Sequence, residues 1–268
     1  MDTRLNNSSF VTTDGVRLHV LEAGPQGNAT SPVIAFVPGW SMPATVWREQ
    51  LVALGTLHRV AALDPRGQGE SEIPGGGYII ERRAADVSEF IARYSRVVLV
   101  GWSLGALEAL ECVHRYGDTA LEALVLVDSS VGEDPAPPSA AAFIDALRCD
   151  RRAAIDIFMR EIFGSTCDAA EIATLTAAAL RMPLEASLSL FPGAVPRTHW
   201  RDIARAFRKP LLYAVGAGLA GQAQSLQRQR PATRIEIFEN AGHALFVDEA
   251  ARFNALLAGF VAAIADKV

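Results

Sequence analysis

Gly101-Trp102-Ser103-Leu104-Gly105 is the stretch of this chain that decides its fold. It follows the apolar run 97–100 and precedes the helix-like run 106–116. A serine flanked by glycines at this spacing, between a strand and a helix, predicts a sharp turn in which a Cβ at either glycine would clash. Such a turn presents the Ser103 hydroxyl at a helix N-terminus, where partial positive charge stabilises an anion.

Short strand-like runs alternate with helix-like segments on both sides of this turn. Six runs have the composition of strands in a parallel sheet: residues 33–37, 60–63, 97–100, 124–127, 211–215 and 235–238. Residues 10–12 and 17–22, separated by Asp14-Gly15, predict an opening hairpin. This alternation predicts an α/β fold with a mostly parallel, eight-stranded sheet flanked by helices.

The pattern changes between the strands at 124–127 and 211–215. Residues from about 133 to 208 place apolar side chains at helical spacing and contain no strand-like run. We therefore predict an α/β core formed by residues 1–132 and 209–268, and an inserted helical cap formed by residues 133–208. An insertion at this point lies over the carboxyl ends of the strands, where open α/β sheets bind ligands.

The composition excludes several classes of protein. Half of the 268 residues are hydrophobic and the mean hydropathy is +0.18, which predicts a large buried core. The net charge is −5 and the cations are scattered, so we expect no nucleic-acid partner. No apolar stretch reaches ~18 residues, so we expect no membrane insertion.

The sequence also predicts a protein without a metal or other cofactor. No cluster of His, Cys, Asp and Glu has metal-ligand spacing, and no dinucleotide-binding fingerprint occurs. The first nine residues lack the apolar run of a signal peptide, and the three cysteines form no CxxC motif. We therefore expect a reduced, cytoplasmic protein. We also expect a monomer or homodimer.

Four motifs occur along the chain in a characteristic order. They are Pro38-Gly39-Trp40, Asp64-Pro65-Arg66-Gly67-Gln68-Gly69-Glu70-Ser71, the G-x-S-x-G pentapeptide and Asn240-Ala241-Gly242-His243. In this order the sequence resembles the α/β-hydrolase fold family over nearly its full length. The resemblance implies that Ser103 is a nucleophile, that His243 is its general base, and that the 64–71 motif stabilises a loop beside the site.

The catalytic acid is where the sequence departs from that family's common pattern. The family usually places the acid after the penultimate strand, but no Asp or Glu occurs between Leu211 and Ile235. Asp128, after the strand at 124–127, occupies an alternative position that some branches use. There it would hold the His243 imidazole in the reactive tautomer. The other interpretation is that Asp128 only caps the strand end, which leaves a Ser-His dyad or an inactive site.

The resemblance also implies an oxyanion hole, and the apolar residues of the predicted cap indicate a pocket. Two backbone amides would bind the oxyanion, that of Leu104 after the nucleophile and that of Trp40 in the loop after the third strand. That loop reads Pro-Gly-Trp where the family usually has His-Gly-x, a change that backbone donors tolerate. We expect an apolar pocket lined by the following aromatic and thioether side chains: Trp102, Phe158, Met159 and Trp200.

The sequence thus predicts a serine hydrolase that cleaves a carboxylic ester or lactone of a small, apolar substrate through an acyl-enzyme. One alternative is other chemistry on the same scaffold, as a C–C bond hydrolase, a lyase or a cofactor-free oxygenase. Another is a non-catalytic ligand receptor. A haloalkane dehalogenase or an epoxide hydrolase would carry Asp at position 103, so Ser103 argues against both.

Overall fold

The sheet has the eight strands that the alternating pattern predicts. The computed structural model describes residues 4–25, 31–163, 166–193 and 195–265, and the structural statements below concern those residues. The strands are β1 (Asn6–Val11), β2 (Arg17–Ala23), β3 (Val33–Val37), β4 (Val60–Asp64), β5 (Val97–Trp102), β6 (Leu121–Val127), β7 (Leu211–Gly216) and β8 (Thr233–Phe238). Their order is β1-β2-β4-β3-β5-β6-β7-β8. β2 pairs antiparallel with β1 and β4, and the other pairs are parallel, which confirms the predicted fold class.

The first strand begins earlier than the sequence indicates. The hairpin prediction starts at residue 10, whereas β1 starts at Asn6 and pairs with β2 from there. Its side chains are mostly exposed, because β1 lies at the edge of the sheet. A polar edge strand lacks the apolar alternation by which half-buried strands are recognised.

Helices cover both faces of the sheet. They are α1 (Arg48–Leu54), α2 (Ile80–Ile91), α3 (Leu104–Tyr116), α4 (Ala141–Cys149), α5 (Arg151–Phe163), α6 (Ala169–Leu180), α7 (Leu184–Ser189), α8 (Arg197–Ala206), α9 (Ala220–Gln229), α10 (Leu245–Asp248) and α11 (Ala250–Ala265). Short 3₁₀ turns occupy Ala44–Trp47 and Ala217–Leu219. Within the described ranges, no helix combines the length and apolar character that a membrane span needs.

Two hydrophobic clusters flank the sheet. One contains Val98 and Val100 of β5 with side chains of α1 and α11, and it continues into α4–α7. The other contains Val97 and Leu99 of β5 with side chains of α2, α3, α8 and α9. Every residue of β5 is buried, because successive side chains point to opposite, covered faces.

The predicted helical insertion is confirmed between β6 and β7, where α4–α8 follow one another. These helices do not all pack alike. α4–α7 share the first cluster, whereas Trp200, Ile203 and Ala204 of α8 lie in the second cluster with α3. The separation into a core and a cap at residues 133 and 208 stays a prediction.

Strand register brings the ends of β5, β6 and β7 to one edge. Trp102 lies opposite Val127, and Val127 lies opposite Ala214. The next residues continue this ladder, because Ser103 N–H donates to Val127 O at 2.9 Å and Asp128 N–H donates to Ala214 O at 2.8 Å. Ser103 and Asp128 therefore emerge side by side at the carboxyl edge of the sheet.

Candidate active site

Ser103 occupies a strained turn between β5 and α3. Its φ is 54° and its ψ is −120°, a conformation that costs a non-glycine residue about 1–3 kcal/mol. The flanking glycines permit the close approach that the sequence predicts. A Cβ on Gly101 would lie 2.4 Å from Gly105 O, and one on Gly105 would lie 2.5 Å from Val37 O. Packing of α3 against β3 thus imposes the turn.

Asp128 and His243 form a hydrogen-bonded pair. The distance between Asp128 Oδ2 and His243 Nδ1 is 2.7 Å. Asp128 is buried, and its other oxygen, Oδ1, accepts a hydrogen bond of 2.7 Å from the Gly216 amide at the end of β7. A carboxylate bonded to Nδ1 keeps a proton on that nitrogen and leaves Nε2 free to act as a base.

Trp102 forms a hydrogen bond with the backbone of the loop that carries His243. The Trp102 indole Nε1 donates to the His243 carbonyl at 2.9 Å, and the two ring centroids are 5.2 Å apart. On the other side of the histidine, the Gly242 amide donates to Asp248 Oδ2 at 2.8 Å. The backbone on both sides of the imidazole is therefore fixed.

The two predicted oxyanion donors, the Leu104 and Trp40 amides, belong to segments that lie next to Ser103. Leu104 is the first residue of α3, so its N–H has no partner within the helix. Gly39 packs against the turn at Ser103, since a Cβ built on it would lie 3.2 Å from Ser103 Cβ. The next residue is Trp40, whose amide belongs to the peptide that follows Gly39.

A cavity of about 480 Å³ brings all five predicted site residues together. Ser103, Asp128, His243, Trp40 and Leu104 all line it. Most of the remaining wall is apolar: Leu107, Pro137, Pro138, Ala140, Leu190, Phe191, Pro192 and Leu219. Ser129, Ser130 and Gly218 complete the wall, so Asp128 and His243 supply its ionisable groups among the described residues.

The four side chains predicted to form the pocket lie outside this wall. Trp102 is 1% exposed beneath His243, and Met159 is fully buried in the first cluster. Trp200 is buried in the second cluster, between α8 and α3. Phe158 contacts a residue of the wall, because its ring packs edge-on against that of Trp40 with the ring centroids 5.7 Å apart. In the inserted segment, apolar spacing along a helix thus identified packing positions and not the cavity surface.

The cavity wall comes instead from loop residues that helical periodicity does not reveal. Pro137 and Pro138 precede α4, and Leu190, Phe191 and Pro192 follow α7. The proline-rich stretch 135–138 was the available signal, because it begins soon after a strand end at the ligand-binding edge of the sheet.

Tyr213 of β7 braces the strand end that carries Asp128. Its hydroxyl donates to Ser129 O at 2.6 Å. Burial, together with the nearby charge of Asp128, raises the pKa of this phenol well above its usual value. Tyr213 therefore stays neutral and remains a hydrogen-bond donor throughout the range in which proteins are stable.

The 64–71 motif forms the loop next to the site, as the resemblance implies. Asp64 Oδ1 accepts a hydrogen bond of 2.5 Å from the Ala44 amide, and its Oδ2 accepts one of 2.9 Å from Glu70. His19 Nδ1 lies 2.7 Å from the same Oδ2. Asp64 thus ties the segment after β3 to the segment after β4. The described residues contain no group of three or more metal-ligating side chains.

The fold and the site together define a class of protein. A serine at a strand-to-helix turn, with an Asp–His pair that follows later strands of the same mostly parallel sheet, is typical of an α/β-hydrolase. The chain belongs to the Alpha/beta hydrolase family, whose model matches residues 34–256.

Proteins similar to this chain include esterases. The chain is 27% identical to a pimeloyl-[acyl-carrier protein] methyl ester esterase of Vibrio atlanticus, over 92% of this chain and 98% of that protein. The crystal structure of an esterase from Rhodococcus sp. superposes with a TM-score of 0.82 at 22% identity, covering 98% of this chain and all of that one. A bromoperoxidase from Bacillus anthracis superposes with a TM-score of 0.84 at 19% identity, covering 96% of this chain and 99% of that one. At such identities the two structures share the fold, and the fold alone does not determine the reaction.

Proposed function

We propose that this protein is a serine hydrolase that cleaves a carboxylic ester or lactone of a small, uncharged, apolar substrate. The observation that carries the proposal is the 2.7 Å contact between Asp128 and His243 at the wall of the cavity that Ser103 also lines. That contact supplies an acid for the base and favours the triad over a Ser-His dyad.

In the proposed reaction, Ser103 Oγ attacks the substrate carbonyl while His243 Nε2 takes its proton. The carboxylate of Asp128 stabilises the imidazolium that results. The Leu104 and Trp40 amides donate to the oxyanion of the tetrahedral intermediate, and each such donor is worth about 10²–10³ in turnover. His243 then protonates the leaving alcohol, and a water activated by His243 hydrolyses the acyl-enzyme.

The composition of the cavity supports an apolar substrate. None of the described residues that line it is a lysine or arginine, so a carboxylate or phosphate on the substrate would lie there without a counter-charge. The proline, leucine and phenylalanine side chains of the wall favour an acyl or aromatic group instead. The volume of about 480 Å³ fits a small molecule.

The proposal is tested with p-nitrophenyl esters of two to twelve carbons and a fluorophosphonate probe. We expect hydrolysis of at least part of the series and covalent labelling, both of which Ser103→Ala abolishes. Ser130→Ala is the matched control, because it removes a second hydroxyl from the same cavity and should retain labelling. If the wild type is not labelled and hydrolyses no ester, the proposal of a hydrolase is overturned. That result would favour the alternatives of an oxygenase, a lyase or a ligand receptor.

A further inference from the structure

The segment that carries the Trp40 amide is a tight turn with an unfavourable residue in it. The Met42 N–H donates to Gly39 O at 3.2 Å, which closes a four-residue turn. Ser41, the third residue of that turn, has a φ of 58°, a position that glycine ordinarily fills. Ser41 is also buried. The turn therefore needs support from outside its own sequence.

Gln68 of the loop after β4 supplies that support. Its side chain is buried, and its Nε2 donates to Gly39 O at 3.2 Å and to Met42 O at 2.6 Å. Its Oε1 accepts from Arg83 Nη1 at 3.0 Å. Two carbonyls on one side and a guanidinium on the other leave one orientation for the amide group. Gln68 thus joins the two ends of the turn.

The bond to Gly39 O has a consequence for the next amide. Gly39 C=O and Trp40 N–H belong to the same planar, trans peptide group, in which the two bonds point in opposite directions. Holding Gly39 O toward Gln68 therefore fixes the direction of the Trp40 N–H. Because a Cβ built on Gly39 would lie 3.2 Å from Ser103 Cβ, that N–H belongs to a peptide that lies next to the nucleophile.

Gln68 is also connected, through Arg83, to α3, the helix that begins directly after Ser103. Arg83 of α2 lies 2.8 Å from Glu108 of α3, between Nη2 and Oε1, and both side chains are completely buried. α3 also carries the Leu104 amide at its first position. Polar contacts therefore connect the Gly39–Trp40 peptide to α3, whose first residue carries the Leu104 amide.

We propose that Gln68 is a positioning residue that aims the Trp40 amide at the oxyanion. The inference rests on the proposed function, because it assigns Gln68 a task in ester hydrolysis. The interaction that Gln68 supports matters most where negative charge develops, so its loss lowers kcat and not the affinity for the substrate.

The test compares Gln68→Met with Gln68→Glu. Methionine has a similar length and removes both the donor and the acceptor. Glutamate keeps an acceptor for Arg83, so it preserves that buried contact, but as a carboxylate it cannot donate to Gly39 O. Gln227→Met is the matched control, because Gln227 also donates to a backbone carbonyl, that of Thr233, away from the cavity wall.

We expect both Gln68 variants to lower kcat about 10- to 100-fold with KM within about twofold, because one oxyanion donor is misaligned. Rates are counted per folded active site, titrated with the fluorophosphonate. An alkyl boronic acid, which mimics the tetrahedral intermediate, should bind more weakly by a similar factor. Gln227→Met should match the wild type in both measurements.

The following outcomes distinguish failure of this inference from failure of the proposed hydrolase function. If the wild type hydrolyses esters and either Gln68 variant keeps kcat within twofold, the inference is overturned and the hydrolase stands. A rise in KM at unchanged kcat overturns it equally, because that result assigns Gln68 to substrate binding. A wild type that neither hydrolyses esters nor binds the boronic acid overturns both.

Discussion

The Gly216 amide at the end of β7 donates a 2.7 Å hydrogen bond to Oδ1 of Asp128 at the end of β6. β7 is the penultimate strand, after which the family usually places its acid. In this protein a backbone amide at the end of β7 instead binds the carboxylate of Asp128, which follows the neighbouring strand β6. The sheet brings the two strand ends together, so an acid from either strand can reach the histidine loop.

Asp128→Asn tests this assignment of the acid. Asparagine has the same shape, tolerates the positive φ of 40°, and can still accept from Gly216. It favours the wrong imidazole tautomer and does not stabilise the imidazolium, so we expect kcat to fall about 10²- to 10⁴-fold. Steady-state ester hydrolysis measures this, with the exposed Asp202→Asn as control. Nearly full activity in Asp128→Asn would contradict the role of Asp128 and favour a Ser-His dyad.

Trp102→Phe separates support of the histidine from contact with the substrate. The variant loses the donor to His243 O, so we expect kcat to fall about 10- to 100-fold through misplacement of the imidazole. The preference among ester chain lengths should not change, because Trp102 lies outside the cavity wall. Trp200→Phe, buried in the other cluster, should alter stability and leave kcat as it is. A changed chain-length preference in Trp102→Phe would place its ring in the pocket.

Gly218→Phe tests whether the cavity sets the size of the substrate. Gly218 lines the cavity, and a Cβ built on it meets no atom within 4 Å, so a side chain can begin there without a clash. We expect kcat/KM for the longest accepted ester to fall at least about tenfold relative to the shortest. Gly75→Phe, at another open position, should keep the wild-type profile. Parallel losses on all esters would contradict the role of this wall.

The same substitution in two helices should have opposite effects on folding. Gly105→Ala in α3 would place a Cβ 2.5 Å from Val37 O, so we expect a loss of more than about 2 kcal/mol in the free energy of unfolding. Gly259→Ala in α11 meets no atom within 4 Å and should stabilise the protein by about 0.5–1 kcal/mol. Urea unfolding measures both. Equal effects would show that α3 can move away from β3 at little cost.

Glu108 predicts a specific pH dependence of stability. Burial raises its pKa from 4.5 to about 7, against the opposing effect of the Arg83 charge. Because the pKa of Glu108 is raised in the folded state, the contribution of this side chain to the free energy of unfolding is fully present below pH 4.5. It is lost as the pH rises towards 7. The free energy of unfolding of the wild type, minus that of Glu108→Gln, should therefore fall with rising pH by up to about 1.4 kcal/mol per unit.

Urea unfolding at several pH values between 4.5 and 8 measures that difference. The substitution also removes the partner of Arg83, which lowers the stability of the variant at every pH. Only the slope therefore tests the pKa. A difference that grows with rising pH would mean that the ion pair with Arg83 outweighs burial and lowers the pKa of Glu108.

The sequence by itself determined the fold and the order of the motifs. Apolar runs alternating with helices identify a parallel sheet, and the G-x-S-x-G turn identifies the strand end that carries the serine. These features are local, because they depend on side-chain periodicity and on the backbone freedom of glycine. The resemblance also pointed to Asp128, because the loop after β7, where the family usually has its acid, contains no Asp or Glu.

Only the tertiary structure decided which residues surround the serine. Strand register placed Asp128 beside Gly216, and packing put Trp102 under His243 and Trp200 on the other face of the sheet. Gln68 reached the turn after β3 although 26 residues separate it from Met42. Such contacts join segments distant in the chain, and their geometry is set by how strands pair and helices pack, which residue spacing along one segment does not encode.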